Sequence, residues 1–229
     1  MIAKEDLMEF TKWGGKSLVE QSLPGTGRDV EGLKRIANMT GLNIITVTGF
    51  YNHWSHPSFI KENDIDALKE YFVKELTEGI DDTGIKAGAI GECACTEPVP
   101  FHEDEKKVLI AAFRTQAEIG CGFTLHPAMF DMPNKRLVTY GELYVDMMEK
   151  EDANVGKFYM SHVDNFTWDM DYLRRLLDRG VTLSFDSFGM EYYETPSWPL
   201  HRMATDVESV TALVELCKQG YDKQLVMSQ

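Results

Sequence analysis

The stretch Ile85-Lys86-Ala87-Gly88-Ala89-Ile90-Gly91-Glu92 decides the fold, because it is a short apolar run that ends in a carboxylate. Two later runs, Gly122-Phe123-Thr124-Leu125-His126 and Lys157-Phe158-Tyr159-Met160-Ser161-His162, each end in a histidine. All three have the length and composition of β-strands. Because strand ends converge in a parallel barrel, Glu92, His126 and His162 are predicted to form the outline of a metal site.

Length and charge limit the classes of protein that this chain can represent. Its 229 residues are enough for a sizeable core and predict one domain over residues 1–229. A net charge of −14 argues against binding to nucleic acid and to anionic membrane surfaces. No run reaches the roughly 18 apolar residues of a membrane span, and the N-terminus is charged rather than signal-like.

The four cysteines show no framework of a secreted protein, so a cytoplasmic location is predicted. Cys93-x-Cys95 stands beside Glu92, which leaves a thiolate metal site open as an alternative. Paired C-x-x-C spacing is missing, and this weakens that alternative.

Helix-like and strand-like segments alternate along the whole chain. Helical periodicity marks seven segments, at 4–12, 30–39, 64–80, 103–119, 143–150, 168–178 and 206–218. In the sixth, Trp168, Tyr172, Leu173, Leu176 and Leu177 recur at helical spacing and are predicted to face a sheet. Seven short strands are predicted between the helices, at 16–20, 43–48, 87–92, 122–126, 158–162, 182–186 and 224–228.

This alternation predicts an α/β protein with a parallel (β/α)₈ TIM barrel. The chain opens on a helix and closes on a strand, whereas such a barrel has eight strands, each followed by a helix. One strand before Lys4 and one helix after Gln229 would complete it. The barrel is therefore expected to be incomplete, with its first strand and last helix missing.

Barrel enzymes carry their chemistry at the carboxyl ends of the strands. Glu20, Glu92, His126, His162 and Asp186 all occupy such ends in the predicted sheet. A single histidine there is more often a hydrogen-bonded loop residue, but the pair together with Glu92 favours a metal site. Two imidazoles and a carboxylate suit Zn²⁺ or a similar first-row ion.

The sequence resembles the phosphotriesterase family of the amidohydrolase superfamily. The segment Thr83–Glu92 resembles the fourth-strand signature of that family, and the likeness continues in order over nearly the whole chain. It includes Thr48-Gly49-Phe50-Tyr51, Thr124-Leu125-His126, Ser161-His162-Val163-Asp164, Ser184-Phe185-Asp186, Gln219-Gly220-Tyr221 and Gln224–Ser228.

The resemblance implies a binuclear metal hydrolase on a (β/α)₈ barrel, with two Zn²⁺ in a complete site. Glu92 matches the glutamate bridge expected of the phosphotriesterase-related branch, and His126 and His162 match ligands of the second metal. Glu92 and Asp186 are the expected catalytic residues. Tyr51 and Asp164 are the expected substrate-binding residues. Simple packing is the alternative for Tyr51, and a loop cap or a surface carboxylate is the alternative for Asp164 and Asp186.

The departures from the family pattern concern its two ends. The H-x-H pair of the family's first strand does not occur in this sequence, in which His53 and His56 lie in a predicted loop. The family's last ligand is an aspartate just beyond the serine of the eighth strand, and here the sequence stops at Ser228-Gln229. A fragment of a longer enzyme is the expectation.

Three functions remain open from the sequence. The first is a metal-dependent hydrolase of a small ester, lactone or phosphoester, with a homodimer as its expected assembly. The second is a non-catalytic remnant of a barrel that binds at most one metal. The third is a doubly wound α/β binding module, for which 23–29 is the only weak glycine-rich candidate. The aromatic loop 188–202 is predicted to shape a substrate pocket.

Overall fold

The computed structural model describes residues 2–96, 99–131, 136–190 and 203–228, and it is dominated by a parallel sheet of seven strands. The order in the sheet is β1-β2-β3-β4-β7-β8-β9, and β5 pairs with β6 in a separate antiparallel ladder. The strands are β1 (Ser17–Glu20), β2 (Asn43–Thr48), β3 (Ala89–Ala94), β4 (Gly122–His126), β5 (Phe130–Asp131), β6 (Arg136–Leu137), β7 (Phe158–Met160), β8 (Thr182–Phe185) and β9 (Leu225–Met227).

Helices connect successive strands of this sheet. They are α1 (Ile2–Lys12), α2 (Val30–Thr40), α3 (Phe59–Glu62), α4 (Ile65–Thr77), α5 (Glu103–Ile119), α6 (Gly141–Lys150), α7 (Met170–Asp178) and α8 (Asp206–Lys218). Local sequence fixes several of their ends. Thr205 and Glu208 form a capping box at the start of α8, and Gly120 ends α5 in the left-handed conformation.

The sheet is curled like the wall of a barrel rather than open and flat. The side-chain amide of Gln21, just after β1, lies 3.4 Å from the hydroxyl of Thr124 on β4. These two strands are separated by β2 and β3, and three inter-strand steps of a flat sheet would span about 14 Å. The contact therefore crosses the concave inner side of a partial barrel.

The core lies between the outer face of the sheet and the helices. Phe123 of β4 and Phe158 of β7 stack with their ring centroids 5.6 Å apart, and Phe113 of α5 packs edge-on against Phe123. All three side chains are completely buried. Gly122, Thr124 and His126 alternate along β4 with the buried Phe123 and Leu125, so they face the inner side of the sheet.

The structure confirms the parallel α/β architecture but corrects three details. The strand predicted at 87–92 begins at Ala89 and continues past Glu92 to Ala94. The strand predicted at 158–162 ends at Met160, so His162 lies two residues beyond it. Trp168 precedes α7 and is 62% exposed, so it does not face the sheet.

Two further expectations meet the limits of the described ranges. Within them, no helix has both the length and the apolar character that a membrane span needs. Most of the predicted substrate loop at 188–202 lies outside the described residues, because these ranges leave out 191–202.

Candidate metal centre

Glu92, His126 and His162 converge at the carboxyl ends of β3, β4 and β7. The Nε2 atom of His162 lies 2.8 Å from Nδ1 of His126 and 3.3 Å from Oε1 of Glu92, and Nδ1 of His126 lies 4.0 Å from the same oxygen. Among the described residues, these three form the cluster of side chains that could hold a metal ion. All three are partly buried, at the edge of the concave side.

A β-bulge places the carboxylate of Glu92 in this cluster. On the neighbouring strands Ile90 pairs with Phe123 and Cys93 pairs with Leu125, so Gly91 and Glu92 together face Thr124. An added Cβ on Gly91 would lie only 2.2 Å from Oε1 of Gln21, so a side chain at this position would displace the Gln21 amide. The extra residue changes the direction of the strand's side chains, as bulges near active sites commonly do.

His162 is held by its own backbone and by Asp186. Its φ of 61° places it in the left-handed region, which non-glycine residues seldom occupy. Its backbone N–H donates to both carboxylate oxygens of Asp186, at 3.1 and 3.2 Å, and its Nδ1 donates to Oδ1 at 2.8 Å. The remaining ring nitrogen, Nε2, is thereby directed at His126 and Glu92.

The electrostatics of the cluster place a proton on His162. Burial alone would lower its pKa, but hydrogen bonds to Asp186 and Glu92 outweigh burial and raise the pKa to about 10. Burial and the nearby charge of His162 lower the pKa of His126 to about 4. For Glu92, burial opposes ionisation, but the hydrogen bond to His162 outweighs it and the pKa lies below its usual value. An imidazolium therefore donates to a neutral imidazole and a carboxylate.

Tyr51 lies directly over this cluster, in the loop after β2. Its hydroxyl is 3.4 Å from Nδ1 of His126, and its ring meets that imidazole edge-on with centroids 5.3 Å apart. Burial, followed by the charge of Glu92, raises the pKa of Tyr51 to about 12. The hydroxyl therefore stays protonated over the neutral pH range and can donate a hydrogen bond.

Asp164 lies behind Asp186 rather than in the cluster. It is 1% exposed, and its two oxygens accept hydrogen bonds from the Ser209 hydroxyl at 2.9 Å and the backbone N–H of Asp186 at 2.8 Å. Burial raises the pKa of its carboxyl group above the usual value. This placement supports the loop that carries Asp186.

The fold and this cluster can now be compared with known proteins. The model of the phosphotriesterase family matches residues 1–229 of the chain. The chain belongs to the phosphotriesterase family.

Relatives and solved structures show how far this likeness extends. The N-acetyltaurine hydrolase of Xenopus tropicalis is 33% identical over 98% of this chain and 62% of its own length. A resiniferatoxin-binding protein from Rhodobacter sphaeroides superposes with a TM-score of 0.89 at 27% identity, over 99% of this chain and 60% of that one. A mutant of a phosphotriesterase-like lactonase from Deinococcus radiodurans superposes with a TM-score of 0.82 at 26% identity. This match covers 98% of this chain and 66% of that one. The chain thus spans about three fifths of the length of the curated relatives it matches.

For this member of the phosphotriesterase family, the structure brings together the three residues that the sequence predicted as metal ligands. Their roles, and those of Asp186, Tyr51 and Asp164, remain predictions. The alternative thiolate site gains no support, because Cys93 and Cys95 are buried and burial raises the pKa of both thiols.

One buried residue beside the cluster, Glu105, was not predicted from the sequence. Glu105 is completely buried on α5 and accepts hydrogen bonds from His53 and Thr96. The signal was available, because Glu105 occupies the same helix face as Val108 and Leu109, both of which are buried. A carboxylate at a core position of an amphipathic helix indicates a specific polar partner.

Proposed function

We propose that this chain carries the metal-binding part of a hydrolase that cleaves the acyl bond of a small molecule. The observation that carries the proposal is the convergence of Glu92, His126 and His162, with Asp186 behind His162, in a chain of the phosphotriesterase family. A doubly wound nucleotide-binding module is not supported by a curled sheet with its polar cluster at the strand ends.

The donor set fits a divalent first-row metal, and we propose zinc. Ligands held tetrahedrally at about 2.1 Å from a zinc ion lie about 3.4 Å from one another. The three donor separations, 2.8, 3.3 and 4.0 Å, scatter around that value. This spacing supports one divalent ion held by Glu92, His126 and His162.

A second metal ion, bridged by Glu92, is the expectation from the family. In the family its other ligands are an H-x-H pair, which this sequence does not contain, and an aspartate just beyond the serine of the eighth strand. The competing proposal is a chain that binds one metal and has no catalytic activity.

The roles of the side chains follow from their contacts. When bound, a divalent metal lowers the pKa of a water molecule and polarises the oxygen of the scissile group. Asp186 keeps the Nδ1–H of His162 fixed, so Nε2 is presented for coordination. Tyr51, whose hydroxyl faces the same space, is proposed to donate a hydrogen bond to the substrate oxygen. Asp164 is now proposed to position Asp186 rather than to touch the substrate.

The relatives suggest the substrate class. The curated relatives are named N-acetyltaurine hydrolases, so a small N-acyl amide is the first substrate class that we propose. Hydrolysis then adds water across the C–N bond, giving a carboxylic acid and an amine. A lactone or ester is the second candidate, which the structural likeness to a phosphotriesterase-like lactonase favours.

The test is a substrate panel with matched variants. The protein is loaded with zinc, manganese or cobalt and assayed on N-acetyltaurine, a set of lactones and a set of aryl esters. Hydrolysis of one class, lost in Glu92→Gln and kept in Glu103→Gln, is the expected result. Stoichiometric metal without turnover on any substrate would instead favour the non-catalytic one-metal protein.

A further inference from the structure

Glu105 is a buried carboxylate beside the metal centre that the proposed reaction does not use. It lies in the first turn of α5 and is completely buried. Its Oε1 accepts hydrogen bonds from the backbone N–H of His53 at 3.0 Å, from Nδ1 of His53 at 2.9 Å and from the Thr96 hydroxyl at 2.7 Å. Its Oε2 accepts the backbone N–H of Thr96 at 3.0 Å. Four donors therefore converge on one side chain.

These donors come from two different loops at the catalytic end of the sheet. His53 follows β2 and Thr96 follows β3, so Glu105 ties both loops to the start of α5. His102 strengthens the same junction. Its Nδ1 accepts the backbone N–H of Asp104, and its ring stacks on that of His53 with centroids 4.1 Å apart and an interplanar angle of 4°.

The loop held by Glu105 is the one that carries Tyr51, two residues before His53. The carbonyl oxygen of Tyr51 accepts the backbone N–H of Ala94 at 3.2 Å, so β3 fixes one side of this residue. His53 and Glu105 fix the chain on the other side. A displacement of His53 would therefore also move Tyr51, two residues earlier in the chain. The Tyr51 hydroxyl, which lies 3.4 Å from Nδ1 of His126, would then change its position relative to the cluster.

We propose that Glu105 is a positioning residue that holds the loop after β2 so that the Tyr51 hydroxyl faces the metal centre. It touches neither the cluster nor the space above it, and acts on hydrolysis through Tyr51. This role in catalysis rests on the proposed function, whereas the positioning itself does not.

Glu105 is ionised throughout the neutral pH range, so its hydrogen bonds to His53 and Thr96 persist there. Burial alone would raise the pKa of its carboxyl group, but hydrogen bonds from Thr96 and His53 outweigh burial and the pKa lies below the usual value. An ionised carboxylate accepts all four hydrogen bonds. Glutamine has the same length, but its amide nitrogen cannot accept, so Glu105→Gln must lose part of the set.

The positioning is tested without any substrate. In protein with ¹³C-labelled tyrosine rings, the Tyr51 signal is the one that disappears in Tyr51→Phe. Glu105→Gln is expected to shift or broaden that signal, while Glu103→Gln, the same change on the exposed side of the same turn, leaves it in place. Thr96→Val removes one donor only and is expected to give a smaller shift, which keeps the test usable if Glu105→Gln does not fold. An unmoved Tyr51 signal in folded Glu105→Gln and Thr96→Val overturns the proposal.

Kinetics test the route through Tyr51 with a double-mutant cycle. With Tyr51 present, Glu105→Gln is expected to lower kcat/KM about tenfold, because small misplacements of catalytic groups have large effects on rate. In the Tyr51→Phe background the same change should cost less than about twofold. Equal losses in both backgrounds would overturn the role in catalysis. Absence of hydrolysis by the wild-type protein would contradict the proposed function and leave the spectroscopic result unaffected.

Discussion

At the residue scale, the protonation state of His162 controls whether the proposed metal centre can bind an ion. Its imidazolium donates to Asp186 on one side and to His126 on the other. A metal ion accepts electron pairs from neutral imidazole, so the proton on Nε2 must leave before this nitrogen can coordinate. His126 and Glu92 need no such change, because the first is neutral and the second ionised.

The first prediction is that metal binding at about pH 8 releases about one proton, which comes from His162. Since the pKa of His162 is about 10, the release should persist through the neutral range and disappear as the pH rises through that value. Affinity for the metal should increase with pH over the same range. Calorimetric titrations with zinc in two buffers of different ionisation enthalpy measure the proton directly. Identical heats in both buffers would contradict the prediction.

The second prediction concerns the residue that orients this histidine. Asp186→Asn should weaken metal binding about 10- to 100-fold, as losses of such supporting carboxylates commonly do. Asp171→Asn, on the exposed surface of α7, is the control and should leave affinity unchanged. Competition with a chromophoric chelator gives both affinities. If the two variants bound zinc equally well, Asp186 would have no part in presenting His162.

At the scale of elements, a buried ion pair attaches the loop after β1 to helix α4. Arg28 donates two hydrogen bonds of 2.7 Å to the two carboxylate oxygens of Glu75, and both side chains are only 4% exposed. One of these guanidinium nitrogens, Nη1, also donates a hydrogen bond of 3.3 Å to the carbonyl oxygen of Val47 on β2. The pair therefore joins three successive elements of the partial barrel.

The third prediction is that Glu75→Leu lowers the free energy of unfolding by about 3 kcal/mol, because it removes the buried carboxylate that accepts two hydrogen bonds from Arg28 and leaves the largely exposed Asp81, 3.7 Å away, as the remaining acidic neighbour. Combining it with Arg28→Met should recover much of the loss. Glu118→Leu breaks the exposed pair with Lys69 and should cost less than about 1 kcal/mol. Urea denaturation compares the three proteins. Equal destabilisation by the two single changes would show that burial does not strengthen the Arg28 pair.

The elements themselves were largely predictable, whereas the exact direction of their side chains was not. Periodicity located all seven strands of the sheet, because strands buried on both faces form short apolar runs. It could not locate the bulge at Gly91 and Glu92, which exists only relative to Thr124 on the next strand. The left-handed turn at His162 was hidden for a similar reason, since contacts with Asp186 stabilise it.

At the scale of the whole molecule, one side of the protein presents apolar side chains to solvent. Val210 and Val214 of α8 are 45% and 46% exposed, and Met227 of β9 is 61% exposed. Contiguous apolar surface of this kind commonly marks a contact with another polypeptide segment. β9 pairs with β8 on one side only among the described strands, which adds an unpaired edge to the same region.

The fourth prediction is that this surface drives self-association. Val214→Lys should lower the weight-average mass at high protein concentration and reduce the fluorescence of a bound hydrophobic dye. Thr211→Lys adds the same charge at an exposed position on the same helix and should change neither quantity. Sedimentation velocity over a range of concentrations provides the comparison. A wild-type protein that remains monomeric throughout would exclude this form of the expected homodimer.

The bulge in β3 places Glu92 outside the regular strand pairing that holds the sheet together. The ladder between β3 and β4 is regular before Gly91 and regular again from Cys93, so neither Gly91 nor Glu92 has a partner of its own on β4. A strand without Glu92 would keep every partner on β4 and lose only the carboxylate. The side chain at position 92 can therefore change without altering the pairing that holds β3 against β4.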